Sequence, residues 1–196
     1  MIASARWLVA SISIVQPQAM AEEHALREPN AVSIQRIGPE AAALLSNLLE
    51  LYIHDLSEVF PVKLGPDGRF GYDKLPIYWS EPHGRFAFLI TCGGEIAGFA
   101  LVTRGSPATS DPTDLDLAEF FVLRSYRRSG VGRRAAGLLW DQVRGNWVVR
   151  VSDANGAGLH FWRDVVREYA GDCVETPRSE PPHGWTVFTL ASRPSQ

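Results

Sequence analysis

Between the apolar run Leu117 to Leu123 and a helix-patterned run, Val131 to Val143, the chain carries Arg127-Arg128-Ser129-Gly130-Val131-Gly132. No other segment constrains the fold as much. A strand must end there, a helix must begin, and the turn between them needs glycine geometry. The first N–H groups of a helix lack intrahelical acceptors, and the helix dipole adds positive potential at that end. Such a turn is an anion site, and a phosphate site in particular. Five arginines fall between Arg124 and Arg134, which suits a multiply charged phosphate ligand.

Two kinds of site use this turn. Gly130-Val131-Gly132-Arg133-Arg134-Ala135 reads as G-x-G-x-x-A, the dinucleotide fingerprint. Asp153 lies about 20 residues on, where a ribose-binding acid belongs. The spacing argues the other way, because a dinucleotide turn follows its strand almost at once. Here seven residues, Leu123 to Ser129, intervene, three of them arginine. About 120 residues also precede the motif and only one βαβ-like unit follows it, fewer than a dinucleotide fold needs.

Val122, Arg127, Gly130 and Gly132 together spell V-x-x-x-x-R-x-x-G-x-G. This resembles the acetyl-CoA-binding core of the GNAT superfamily of N-acetyltransferases. Asn155-Gly156-Ala157-Gly158-Leu159-His160-Phe161-Trp162 resembles that family's N-x-x-A-x-x-F-Y, which follows its fifth strand. The order of elements from about Val32 to Leu190 agrees. The resemblance implies one α/β (α+β) domain over 31–196, with a mixed, mostly antiparallel sheet splayed at its fourth strand and flanked by helices. It implies acetyl-CoA as co-substrate, an amine acceptor and no metal. It is also compatible with a homodimer. A non-catalytic acyl-CoA-binding module and, further off, a dinucleotide-dependent oxidoreductase are the alternatives.

Composition is consistent with this. The chain has 196 residues, 45% hydrophobic and 21% charged, enough for one domain with a real core. Net charge is -3, so no global polycation points to nucleic acid. Two cysteines, Cys92 and Cys173, read as small core residues, and five scattered histidines offer no zinc spacing. Residues 1–30 read as an extension outside the core. Arg6, the apolar run Trp7 to Val15 and Ala19-Met20-Ala21 have the outline of a secretory signal. The run is short and serine-interrupted, and a CoA pool is cytoplasmic. We therefore read a cytoplasmic extension before an alternative start at Met20. The run is too short to span a bilayer.

Along the chain, Val32 to Ile37 alternates as a strand. Gly38-Pro39-Glu40 opens a helix with Ala41, Leu44, Leu45, Leu48, Leu49 and Tyr52 on its apolar stripe. Residues 57–84 are rich in proline and glycine and read as irregular. Arg85 to Cys92 and Glu95 to Arg104 read as a hairpin turned at Gly93-Gly94. Leu115 to Leu123 reads as a central strand. A helix from Val131, a strand Trp147 to Ser152, a helix from about Gly156 to Tyr169, a Pro/Gly-rich connection 177–184 and a strand Trp185 to Leu190 complete the chain.

Acetyl transfer to an amine needs a base, because an alkyl ammonium with a pKa of about 10 is protonated near neutrality. Glu119 interrupts the apolar run 117–123, where an unpaired charge is costly, and is the leading catalytic candidate. Asp116 is the second. Asp111 and Asp114 read as a solvated loop, the alternative being an acidic rim for a cationic amine. The resemblance implies that the backbones of Phe121 and Val122, the turn Arg127, Arg128, Ser129, Gly130, Val131, Gly132 and Arg133, and Asn155 and Trp162 hold the cofactor. Trp162 stands where the family places an acidic tyrosine, and indole N–H is no usable acid. The thiolate's proton donor is therefore unassigned. For the acceptor the resemblance implies His54, Asp55, Tyr72, Asp73, Tyr78 and Trp79, and aromatics with acids suit a cationic amine. Tyr52 reads as core packing.

Overall fold

A computed structural model describes residues 31–171, 173–180 and 183–194. The extension expected over 1–30 lies outside the described residues. The strands are β1 (Val32–Ile37), β2 (Arg85–Cys92), β3 (Glu95–Arg104), β4 (Leu115–Val122), β5 (Asn146–Ser152), β6 (Val174–Glu180) and β7 (His183–Ala191). The helices are α1 (Ala42–Leu56), α2 (Leu75–Ser80), α3 (Val131–Gln142) and α4 (Gly156–Ala170).

The seven strands form one sheet in the order β1-β2-β3-β4-β5-β7-β6. Only β4 and β5 pair in parallel, so the sheet is not the doubly wound one that a dinucleotide site requires. Helices cover both faces. Leu45, Leu48 and Leu49 of α1 and Leu75 and Tyr78 of α2 pack on Ala87, Phe99, Leu101 and Phe121. Trp140 of α3 and Trp162, Val165 and Val166 of α4 pack on Phe88, Leu117 and Val149. Gly93 and Gly94 turn the β2–β3 hairpin with φ of 60° and 88°, as a two-residue turn with left-handed centres requires.

Two elements depart from the sequence expectation. The irregular segment contains α2, whose proline, Pro76, sits in the first turn, where its missing N–H costs nothing. The Pro/Gly-rich connection contains most of β6, an edge strand that tolerates Pro177 because it has only one strand neighbour. Cys92 is buried, and both cysteines are free thiols. No helix among the described residues is long and apolar enough to cross a membrane.

Two irregularities of β4 build the site. First, β4 and β5 pair only from Leu115–Trp147 to Leu117–Val149, and then part. Second, opposite β3 the register passes from Leu117↔Val102 to Glu119↔Leu101, leaving Ala118 as an extra residue. That bulge reverses the alternation of side chains. Leu117 faces α3 and α4, and without the bulge Glu119 would face them too. With it, Phe120 and Val122 take that face, while Glu119 and Phe121 turn toward α1.

Candidate active site

Glu119 lies half-buried between α1 and the segment leading to α2. Tyr52 donates to its Oε2 at 2.5 Å and Tyr72 to its Oε1 at 2.9 Å. Burial pushes the Glu119 carboxyl above its ordinary value, and the two tyrosine hydroxyls, with the charges of Arg150 and Lys74, offset that only in part. The phenols shift the same way. Burial, then the charge of Glu119, raises Tyr52 and Tyr72 far above the usual range and Tyr78 to about 12. At neutral pH all three phenols stay protonated, and two of them, Tyr52 and Tyr72, donate to Glu119.

Each partner arrives for a local reason. Tyr52 continues the apolar stripe of α1, with its ring 5.7 Å from Phe99 and 5.8 Å from Phe121. A buried tyrosine needs a partner for its hydroxyl, and that need was the readable signal that its role exceeds packing. Tyr72 follows a turn that Glu50 holds against α1. The Glu50 carboxylate accepts from Phe70 N–H at 2.7 Å, Gly71 N–H at 3.1 Å and Arg69 Nε at 3.2 Å. Gly71, at φ +73°, aims the next residue inward. Glu50 was not among the residues singled out in the sequence, because its partners lie about 20 positions away.

The donor side begins where β4 leaves β5. Leu123 N–H bonds the Ala97 carbonyl, so the backbone groups of Val122 point away from β3, toward the gap. An open strand edge inside a sheet can accept an extended chain as an added strand. Arg124–Tyr126 then forms one 3₁₀ turn, and Gly130, at φ +86°, starts α3 without a side-chain cap. Arg134 N–H closes the first helical turn on the Gly130 carbonyl at 3.0 Å. The N–H groups of Val131, Gly132 and Arg133 precede that bond and have no intrahelical acceptor. A Cβ on Gly132 would lie 3.2 Å from Phe161 and 3.6 Å from Val122, so glycine lets the start of α3 pack closely on both. Ser129 Oγ donates to the Tyr126 carbonyl at 2.7 Å and steadies the turn. Arg128 is exposed, with φ 62°. Arg133 pairs with Glu168 at 2.6 Å on the surface.

Several expected residues stand elsewhere. Arg127 turns inward. Its Nε donates to the Val122 carbonyl at 2.7 Å, and its Nη2 pairs with Asp55. Asp55 also holds Arg124, at 2.8 Å from Nε, so it faces the arginine loop. Burial alone would raise Asp55, but Arg124 and Arg127 hold it below the usual carboxylate range. Asp116 is fully buried, with Arg150 donating from Nε at 2.8 Å and Nη2 at 2.9 Å, and Ser106 donating from its hydroxyl. Asn155 caps α4, its Oδ1 accepting from Gly158 N–H at 2.9 Å. Trp162 lies in the core with its ring 5.0 Å from Phe120. His54 is exposed and its ring lies 6.3 Å from Phe70. Asp73 is exposed, Tyr78 is buried under the Arg85 guanidinium at 5.7 Å, and Trp79 packs against the α1-side core. Asp114 is buried, not solvated, and Asp111 accepts from Thr113 in an exposed turn. A cavity of about 450 Å³ at the opposite end of β4, lined by Asp114, Trp147, Cys173 and Leu190, includes none of Glu119, Tyr52, Tyr72 and the residues of the arginine-glycine turn.

The profile of the Acetyltransferase (GNAT) family matches residues 45–165. No curated protein sequence matches the chain. Solved structures share the fold. An aminoglycoside acetyltransferase AAC(6')-Ib in complex with coenzyme A superposes with a TM-score of 0.61 at 13% identity, over 82% of this chain and 95% of that one. A yncA acetyltransferase from Salmonella typhimurium, described with its cofactor acetyl-CoA, gives 0.57 at 13%, over 85% and 96%. The ribosomal-protein-S18-alanine N-acetyltransferase from Escherichia coli gives 0.55 at 15%, over 85% and 97%.

Proposed function

The chain belongs to the Acetyltransferase (GNAT) family, and from that premise we propose that it transfers the acetyl group of acetyl-CoA to a primary amine, with Glu119 as base. The observation that carries this reading is one carboxylate, raised by burial and held by two tyrosines, set beside the gap where β4 parts from β5. The chain's own features support acetyl-CoA as donor. The open β4 edge at Val122 suits an extended amide-bearing arm. The N–H groups of Val131 to Arg133, with exposed Arg128 beside them, suit a pyrophosphate. Gly132 lets those N–H groups approach Val122 closely, because a Cβ there would press on Phe161 and Val122.

Glu119 takes a proton from the acceptor ammonium, directly or through water, and frees the amine lone pair to attack the thioester carbonyl carbon. A C–N bond forms, the C–S bond breaks, and the thiolate leaves, the new amide nitrogen giving up its remaining extra proton to the thiolate or to water. Val122 N–H, on the open edge, is the group placed to donate to the carbonyl oxygen as it becomes anionic. Trp162 supplies no proton and serves as packing. Asp116, neutralised by Arg150 and sealed from solvent, holds β4 to β5. The acceptor side is aromatic, from Tyr52, Tyr72, Tyr78 and Trp79, around one acid. That lining supports a cationic amine with some apolar surface, from a small molecule such as an amino sugar or polyamine, or from a peptide.

Thermal melting with acetyl-CoA, then thiol release over an amine panel, tests the reading. Acetyl-CoA at about 100 times its dissociation constant adds roughly 2.7 kcal/mol of stability. An unshifted melt, or no amine giving thiol release, overturns it.

A further inference from the structure

Helix α1 is fastened to β4 and its exit loop at two points about one helical turn apart. Tyr52 reaches Glu119, and Asp55, on the same face, reaches Arg124 and Arg127. Asp55 stands in the last turn of α1, where the helix dipole disfavours a negative charge. It is accommodated by two guanidinium groups, one on each carboxylate oxygen. Its side chain is only 16% exposed, so these contacts are less screened than an ordinary surface pair. Arg127 carries the connection onward. Its guanidinium lies 5.6 Å from the Phe121 ring, and its Nε holds the Val122 carbonyl at 2.7 Å.

We propose that Asp55 is a positioning residue that joins the two substrate halves of the site. Through Arg127 it fixes the Val122 carbonyl at the donor gap, and through α1 it seats Tyr52 on Glu119. The inference rests on the proposed acetyl transfer with Glu119 as base, and its test reads the two apart. Glu119 is faced by Tyr52 from α1, Tyr72 and Lys74 from the following segment, Tyr78 from α2, and Asp116 and Arg150 on and beside β4. Asp55 is faced by Arg124 and Arg127, with Glu58 near Arg124. Asp55 forms no ion pair or hydrogen bond with Glu119, and loss of its negative charge beside Arg124 and Arg127 would by itself lower the Glu119 midpoint, so an upward shift reports the seating of Tyr52.

The experiment is a carbon-13 NMR titration of the Glu119 carboxyl in the whole protein, assigned with Glu119→Gln, together with calorimetric acetyl-CoA binding. Tyr52 favours the charged carboxylate, so loosening it raises the Glu119 midpoint. Asp55→Asn is expected to move that midpoint upward, as Tyr52→Phe does, and the double variant no further than Tyr52→Phe alone. Acetyl-CoA affinity falls about tenfold in Asp55→Asn, the scale of one charge-assisted hydrogen bond, and Asp55→Glu recovers part of both effects. If Asp55→Asn does not fold, Arg127→Lys gives the second measurement, with the same two directions expected. A lowered melting temperature with unchanged midpoint and affinity overturns the proposal and leaves Asp55 a stabilising residue only. Wild-type turnover in Glu119→Gln overturns the base reading instead, while the titration and affinity still decide the role of Asp55.

Discussion

Tyr52 and Glu119 are separated by 67 positions in the chain, yet the tyrosine hydroxyl donates to the carboxylate at 2.5 Å. The bond links the apolar stripe of α1 to the one carboxylate that the Ala118 bulge turns to that face. It also opposes burial, which pushes Glu119 upward.

Removing that hydroxyl leaves burial less opposed. In Tyr52→Phe the acid limb of the pH–rate profile moves to higher pH. The loss of a hydrogen bond to a charged group, about 1.5–3 kcal/mol, corresponds to roughly 1–2 pH units. Steady-state rates across pH measure the limb, and an unmoved limb would separate Tyr52 from the base.

The two acids on β4 should part in stability. Asp116→Asn leaves the partly exposed Arg150 beside a neutral group, and because only the acid is fully buried the loss should fall toward the lower end of the roughly 3–5 kcal/mol that breaking a buried pair costs. Glu119→Gln should do the opposite. A carboxyl raised in the folded state contributes stability below its unfolded pKa and loses it as pH rises through the folded pKa. Above its raised folded pKa the ionised Glu119 therefore weakens the fold, and there the glutamine variant unfolds at equal or higher denaturant. Urea titrations at neutral and mildly acidic pH distinguish the two, and the Glu119→Gln advantage should shrink in acid.

Two glycines make different demands. A Cβ on Gly98 would sit 1.9 Å from the Phe121 carbonyl oxygen, a backbone atom that cannot step aside without parting β3 from β4. Gly130 faces open space, and its need is conformational, at φ +86°. Gly130→Ala should cost about 1–2 kcal/mol and weaken acetyl-CoA binding, whereas Gly98→Ala should exceed the roughly 1–3 kcal/mol of ordinary overpacking. Denaturant midpoints rank them, and equal losses would contradict the geometry.

What the sequence conveyed was mostly local. The Gly93-Gly94 hairpin, the alternation of β1 and the glycine start of α3 depend on neighbours within a few residues, and each was legible. So was the parting of β4 from β5, through resemblance. The α2 helix and β6 were not, because Pro76 and Pro177 read as breakers until a first turn or a sheet edge excuses them. The Ala118 bulge carries no mark in composition, since any small residue can occupy one. Asp55 and Arg127 were each singled out, but for different ligands. Their contact spans 72 positions, and nothing local predicts it. Tyr52 was read by its ring and not by its hydroxyl. Long-range polar pairs of this kind depend on how the layers register, which periodicity does not encode.

The most direct measurement is thiol release from acetyl-CoA by the wild-type protein and Glu119→Gln, with a responsive amine from the panel, between about pH 6 and 9. Loss of a positioned base predicts turnover lower by about 10²–10⁴-fold near neutrality, with acetyl-CoA affinity unchanged. Equal rates for the two proteins across that range would contradict Glu119 as the base.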